Sequence, residues 1–390
     1  MIFQSPNTAI ESSRGAQRRV APFMLIALAS LLVGLWAGLA RLGWDLPEAD
    51  GVLMLRHGGL MVVGFVGTLV AVERAIAVRS LPAFAAPALS AATGISLLAG
   101  APASVAPALA AAAGVAYSLN IAFLVLQHRQ PALAVLFAGG LCMTVAGIVW
   151  WDGGGLRTVV PWWMAFVALT VGAERLELIR FQRFTTPGLL SGLAVLGLIV
   201  AGPAVTLWEV DAGVRLLGVG LLVGPVWLVQ RDITRRTIRT EGVARFAATG
   251  VLLACAWVVV SGAMLLAWGL EPGLRYDAVV HAFFIGFVFT AIMAHEPIIA
   301  PAVTGLRFVY TPALYLPLLL LDGTLVARVA ADLGEWSEVR RWSGMIQAVT
   351  ICLFLLLSAG SLAVGQMKSR PQEKRPQGGR PLPLSKGRNP

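Results

Sequence analysis

Charge is scarce in this chain. Only 13% of its 390 residues are charged, against 57% apolar. An ordinary soluble domain carries about a quarter charged residues. The shortfall excludes a typical water-soluble enzyme and leaves few side chains to carry chemistry. Cysteine is rarer still. Cys142, Cys255 and Cys352 lie far apart within apolar runs, with no CxxC and no Cys/His cluster. Neither a disulfide framework nor a zinc site fits that spacing. No nucleophile triad, P-loop or metallohydrolase motif is present. Gly218, Gly220 and Gly224 lie inside an apolar run with no strand before them, so they form no nucleotide loop. The net charge of +10 sits in loops and in the tail. It marks no nucleic-acid partner.

What the chain has in abundance is long apolar runs. Each is about twenty residues, enough to cross about 30 Å of hydrocarbon. The pattern predicts an all-α polytopic membrane protein whose main partner is the lipid bilayer. Twelve spans are expected, at 21–42, 51–78, 82–99, 103–126, 131–151, 159–181, 188–207, 212–230, 244–269, 277–301, 312–334 and 342–366. The first follows a basic stretch with no small-residue cleavage site, so it reads as a retained helix. Residues 1–20 are then a cytoplasmic N-terminal segment, 21–366 one transmembrane domain, and 367–390 a basic disordered tail.

Cation placement predicts orientation. Arg14, Arg18 and Arg19 precede the first span. Arg231, Arg235, Arg236, Arg239 and Arg245 follow the eighth. Lys368, Arg370, Lys374 and Arg375 follow the last. The opposite loops are acidic, with Asp45, Glu48 and Asp50, then Glu209 and Asp211, then Asp332, Glu335 and Glu338. Both termini are expected in the cytoplasm.

A repeat runs through the spans. Gly64-Phe65-Val66 leads after seven residues to Glu73-Arg74. Ala165-Phe166-Val167 leads by the same gap to Glu174-Arg175, and Gly286-Phe287-Val288 to His295-Glu296. The copies fall on spans 2, 6 and 10. Twelve helices would then form three pseudo-equivalent four-helix units.

Four histidines occur. His128 sits beside Arg129 at a helix end and reads as a loop residue. His57 and His281 open spans 2 and 10 at matching depth below the outer face. Two readings of this pair stand. They are interfacial histidines bonded to carbonyls or water, or they face each other as axial ligands of a haem iron. Gly58 and Gly59 would admit a flat macrocycle close to the backbone. An ionisable residue inside a membrane is a functional candidate by default.

His295 lies fourteen residues beyond His281, about 21 Å deeper along a helix. Pro297 and Pro301 follow it and predict a break or kink. Glu73 and Glu174 hold the matching repeat positions. With His295 and Glu296 they form either interfacial ion pairs or an inner carboxylate–histidine cluster that admits protons or an ion. Arg180 and Arg183 read as cytoplasmic anchors. In "SEVRRWSG", Arg340 and Arg341 fall in the loop before the last span, on the acidic side. They fit either a pair of carboxylates such as haem propionates, or Glu335 and Glu338. Arg56 and Arg275 lie just outside the two histidines and fit the same role. Gly34 and Gly38 form one GxxxG, the usual signature of helix packing.

Taken together, the histidines of spans 2 and 10 and the Arg-Arg pair resemble the central subunit of haem-copper oxidases and nitric oxide reductases. The resemblance implies His57 and His281 as axial ligands and Arg340 with Arg341 as propionate anchors. That family's copper-binding histidines on helices 6 and 7 are missing, and Phe283 replaces its second helix-10 histidine. Copper and an oxygen-reducing centre are not supported. The chain is also similar to the NnrS family, twelve-helix bacterial membrane proteins that bind haem and are linked to nitric oxide stress. That family's "HxHEMLFGF" aligns its first histidine with His57 and its "GF" with Gly64-Phe65, while Gly59 replaces its second histidine. Its "HALLLG" is matched by "HAFFIG" from His281 to Gly286. The likeness implies a haem b protein of a bacterial-type inner membrane, serving electron transfer, haem sensing or nitric oxide tolerance. A secondary transporter using the inner cluster and a cofactor-free membrane protein are the alternatives. Whether the protein is an enzyme stays open.

Overall fold

The computed structural model describes residues 6–47, 51–179 and 185–369. Every regular element among them is helical. Within hydrocarbon no water meets backbone N–H and C=O groups, so helices that satisfy themselves are favoured. The helices are α1 (Pro6–Arg41, apolar over Arg19–Arg41), α2 (Gly51–Val78), α3 (Pro82–Leu98), α4 (Val105–His128), α5 (Pro131–Trp151) and α6 (Leu156–Leu178). They continue with α7 (Thr186–Val205), α8 (Val210–Val229), α9 (Gly242–Trp268), α10 (Leu274–Pro301, helical on to Thr304), α11 (Pro312–Gly334) and α12 (Ser337–Ser369). Among the described residues, eleven are long and apolar enough to cross a membrane, and α3 is the shorter exception. The chain is a multi-pass membrane protein.

Connections are tight because the residues between helices turn sharply. Arg129 ends α4 with φ 46°, and Pro131 starts α5 where no backbone N–H is needed. Arg79 and Glu335 take the same left-handed conformation after α2 and α11. Consecutive helices pack side by side, and α1 also touches α10 and α12, which draws the two ends of the domain together.

Burial singles out three helices. In their most apolar windows α2, α6 and α10 are 56%, 67% and 67% buried, and no other span exceeds 50%. These are the helices that carry the repeat. In α2 and α10 the repeat also has a backbone signature. Residues Leu60–Gly67 and Ala282–Phe289 are π-helical. Each stretch begins four residues before the glycine of its Gly-Phe-Val and ends three after it. A π-helical stretch widens the turn and is most often retained at functional sites. Here Phe65 and Phe289 from the two stretches stack, with ring centroids 5.6 Å apart. The second copy, in α6, stays α-helical.

Several expectations change. Helix α1 starts at Pro6, so the predicted N-terminal segment 1–20 is largely an extension of the first span. Helix α10 runs through Pro297 and Pro301 without interruption. Helix α12 starts at Ser337, which places Arg340 and Arg341 in its opening turns and not in a loop. The side chains of Arg14 and Arg18, together with Glu48, Asp50, Arg180, Arg183 and the tail from Arg370, including Lys374 and Arg375, lie outside the described residues.

Close helix approach depends on glycine where backbones nearly touch. A Cβ on Gly147 of α5 would lie 2.3 Å from the Ala111 nitrogen of α4, and one on Gly114 would lie 2.5 Å from the Thr144 nitrogen. Gly197 of α7 meets nothing within 4 Å. Gly147→Ala is therefore expected to lower the unfolding temperature in detergent, by a cost of about 1–3 kcal/mol for forced overpacking. Gly197→Ala should leave it unchanged or raise it slightly. Equal effects from the two variants would contradict this packing.

Candidate functional site

His57 and His281 face each other. Their ring centroids are 6.3 Å apart and the ring planes are inclined by 31°. Each ring is held by its Nδ1. That of His57 donates to the Gly34 carbonyl of α1 at 2.7 Å, and that of His281 to the Asp277 carbonyl one turn back at 2.9 Å. A carbonyl can only accept, so each Nδ1 carries a proton, and in a neutral ring the lone pair then sits on Nε2. This is the second-shell arrangement that prepares an imidazole to bind a metal. The GxxxG of α1 supplies the first of these contacts. The Gly34 carbonyl receives His57, and a Cβ on Gly38 would stand 3.0 Å from His57 Cε1. Helix packing and ring placement are one feature here.

A charged network stands beside His281. Arg328 of α11 donates to Asp277 Oδ2 from Nε at 3.2 Å and from Nη2 at 2.9 Å. Its Nη1 donates to Gln347 Oε1 of α12 at 3.1 Å. Arg340 donates to Asp332 at 2.7 Å and lies 3.4 Å from Asp277. Arg328 is only 5% exposed and Asp332 2%, so these charges rely on one another and not on water. Arg328 Nη2 lies 3.4 Å from both nitrogens of His281. Arg328 thus stands within reach of both ring nitrogens of His281.

Between the rings and this network lies a partly open cavity of about 170 Å³. Its walls are mostly apolar, from Met61, Val62, Val160, Trp163, Phe284 and Ile351 among others. Arg41, Arg328 and Arg340 also border it. So does Gln347, which is 2% exposed and whose Nε2 has no hydrogen-bond partner. A buried donor without a partner costs about 1–3 kcal/mol, and an acceptor bound in the cavity would relieve that cost. Gly58 borders the cavity as expected. Gly59 does not. It packs against Trp150 and Leu97, where a Cβ would come within 2.7 and 2.9 Å.

The two adjacent arginines part company. Arg340 reaches the cavity, but Arg341 turns away, with its guanidinium 4.1 Å from the Trp44 ring centroid and 3.9 Å from Glu338. Nor do Arg56 and Arg275 border the site. Arg56 donates to the Leu97 carbonyl at 3.0 Å, and Arg275 sits over Trp268. The cavity's other cations are Arg41 and the buried Arg328, and no sequence motif included Arg328. Two signals pointed to it. It is an arginine in the middle of an apolar span, and Asp277 lies four residues before His281, on the same helical face.

The opposite ends of α2, α6 and α10 carry a second cluster. Arg74 donates to Glu73 at 2.8 Å and to Glu174 at 2.7 Å. His295 Nδ1 donates to the Ala291 carbonyl at 2.7 Å, so its Nε2 accepts from Arg175 Nη2 at 2.7 Å. Arg175 Nη1 lies 3.8 Å from Asp232. Glu296 belongs elsewhere. It faces α12 and accepts from Ser358 at 3.1 Å. Three of the four residues expected in this cluster gather there, held by the arginines that follow the two glutamates.

A family model described as a domain of unknown function, DUF8744, matches residues 19–363. No curated protein matches the chain.

Breaking a buried ion pair by removing one partner costs about 3–5 kcal/mol. Arg328→Leu should accordingly lower the unfolding temperature of the purified protein far more than Arg341→Leu, since Arg341 only covers Trp44. Comparable thermal shifts for the two variants would contradict the network described here.

Proposed function

The chain belongs to the DUF8744 family, a match that carries no activity, and from the site itself we propose a haem b-binding membrane protein. The observation that carries this is the pair of neighbouring imidazoles, each anchored through its Nδ1 to a backbone carbonyl, so that a neutral ring would offer its Nε2. A metal held between two such rings at about 2.0–2.1 Å from each would need their centres roughly 6 Å apart. His57 and His281 are 6.3 Å apart. Among the described residues no group of three or more His, Cys, Asp or Glu could hold a metal ion. Two nitrogens are a poor set for a bare ion, but they complete an iron that already has four porphyrin nitrogens. The apolar walls suit a macrocycle. The free Gln347 donor with Arg41, Arg328 and Arg340 suits its propionates. The enclosed part of the cavity is smaller than a haem, so the group would also fill the open side.

Haem bound there supplies one-electron redox chemistry. The protein's residues do the rest. Gly34 and Asp277 fix the two tautomers and ring directions. Arg328 holds Asp277 in place and adds positive charge beside the site. His57 and His281 would both be taken up in holding the group, which favours electron transfer or sensing over autonomous oxygen chemistry. The expected likeness to the NnrS family and to the haem-copper oxidase core agrees with this reading, including the link to nitric oxide tolerance. Copper has no support, because α6 and α7 lack the family's histidines. A transporter is less well supported, since Arg74 already pairs with both Glu73 and Glu174.

We also read α3 as a twelfth span, making three four-helix units with both termini cytoplasmic in a bacterial-type inner membrane. The central place of α2, α6 and α10, four helices apart, supports the three-unit division. The cations listed around the first, eighth and last spans support the orientation.

The test is an absorption spectrum of the purified protein, oxidised and dithionite-reduced. Sharp reduced bands are expected, and they should vanish in His57→Ala and His281→Ala while helix content is retained. A colourless but folded wild-type protein would sink the reading. For orientation, a fluorescent protein fused after Pro390 should be bright, and a periplasm-dependent phosphatase at the same point inactive. The reverse pattern would overturn it.

A further inference from the structure

A second cavity, of about 250 Å³, lies on the other side of α10 from the first. Phe287 of the π-helical stretch borders it, while Val288 and Phe289 border the histidine cavity. Its walls are almost wholly apolar. Its mouth passes Leu189 and Leu193 of α7, which are 54% and 53% exposed. Helix α7 is the least buried of the eleven long spans, at 28%. Exposed leucines on such a span face lipid, so the entrance is lateral, from the bilayer. At its polar end stand Arg175 and His295.

That end has donor capacity to spare. Arg175 is partly buried, and its Nε is shielded from solvent with no hydrogen-bond partner. The neighbouring charges decide what can use it. Two cations, Arg74 and Arg175, stand among three carboxylates, Glu73, Glu174 and Asp232. An anionic head would come close to carboxylates that already outnumber the arginines of this low-dielectric cluster. An uncharged carbonyl accepts the free N–H without that cost. We propose that this cavity binds a membrane-soluble molecule with an apolar tail and an uncharged carbonyl head, seated against Arg175 and His295. Quinones and ester-linked neutral lipids share this chemistry. The proposal is independent of the haem reading, because it concerns a different cavity and other residues.

The cavity can be filled without disturbing its walls. A Cβ on Gly172, which borders it, would meet nothing within 4 Å. The experiment is titration calorimetry on the full chain in detergent with three probes, a decyl-substituted benzoquinone, dioctanoylglycerol and decanoate. At least one neutral probe should bind, at least tenfold more tightly than decanoate. Binding should weaken at least tenfold in Gly172→Phe, with wild-type helix content. Leu193→Trp, at the exposed mouth, is the second variant should the first not fold. Binding of the quinone alone identifies a redox-active ligand, and of the glycerolipid alone a lipid; both support the site. Decanoate binding as tightly as the neutral probes overturns the proposal. So does the absence of binding by both neutral probes, or an affinity unchanged in the folded variants.

Discussion

Inside hydrocarbon no water is at hand to meet a charge, so each ionisable group must find its partner in the protein. That constraint arranges this molecule. The buried charges gather at the two ends of α2, α6 and α10, the helices most enclosed by the others. At one end Asp277 is held by Arg328 and approached by Arg340. At the other Arg74 ties α2 to α6, and Arg175 ties α6 to α10. Between them Phe65 stacks on Phe289, and the buried Asp322 of α11 accepts from Trp257 at 2.6 Å beside Thr290 of α10.

The histidine site follows from that arrangement. Asp277 serves twice. Its carboxylate takes the arginine, and its backbone carbonyl takes the His281 proton. The ring is thus oriented by a helix that is itself pinned to α11. His57 has no such charged neighbour and is oriented by α1, through a carbonyl exposed by the glycines that bring α1 close. The paired π-helical stretches just below the histidines widen α2 and α10 where they meet. They also put Phe287 on one cavity and Phe289 on the other, so a single helix forms a wall of both.

The local rules of sequence reading and the tertiary result part company in specific places. Two prolines after His295 predict a break or kink, and α10 stays helical through both. Neighbouring helices and local adjustment can satisfy the backbone groups that proline frees. Adjacent arginines in the run Val339–Trp342 look like one feature, yet successive residues on a helix point about 100° apart. Once α12 extends back to Ser337, Arg340 enters the cavity and Arg341 lies on Trp44. The Glu296 side chain leaves the inner cluster for the same reason, being one residue beyond His295.

Sequence alone determined the membrane class, the succession of apolar helices, the repeat on spans 2, 6 and 10, and His57 and His281 as a matched pair. Each of these is periodic or compositional. Hydrophobic length, equal spacing and the rarity of ionisable residues can all be read along one dimension. Only the tertiary structure decided that the two rings stand 6.3 Å apart, which nitrogen of each is anchored to a carbonyl, that Arg328 and not Arg341 borders their cavity, and that a second cavity reaches Arg175. These depend on the rotation of each helix about its own axis. That rotation is set by partners hundreds of residues away, by glycine contacts, and by π-helical turns that no local pattern announced.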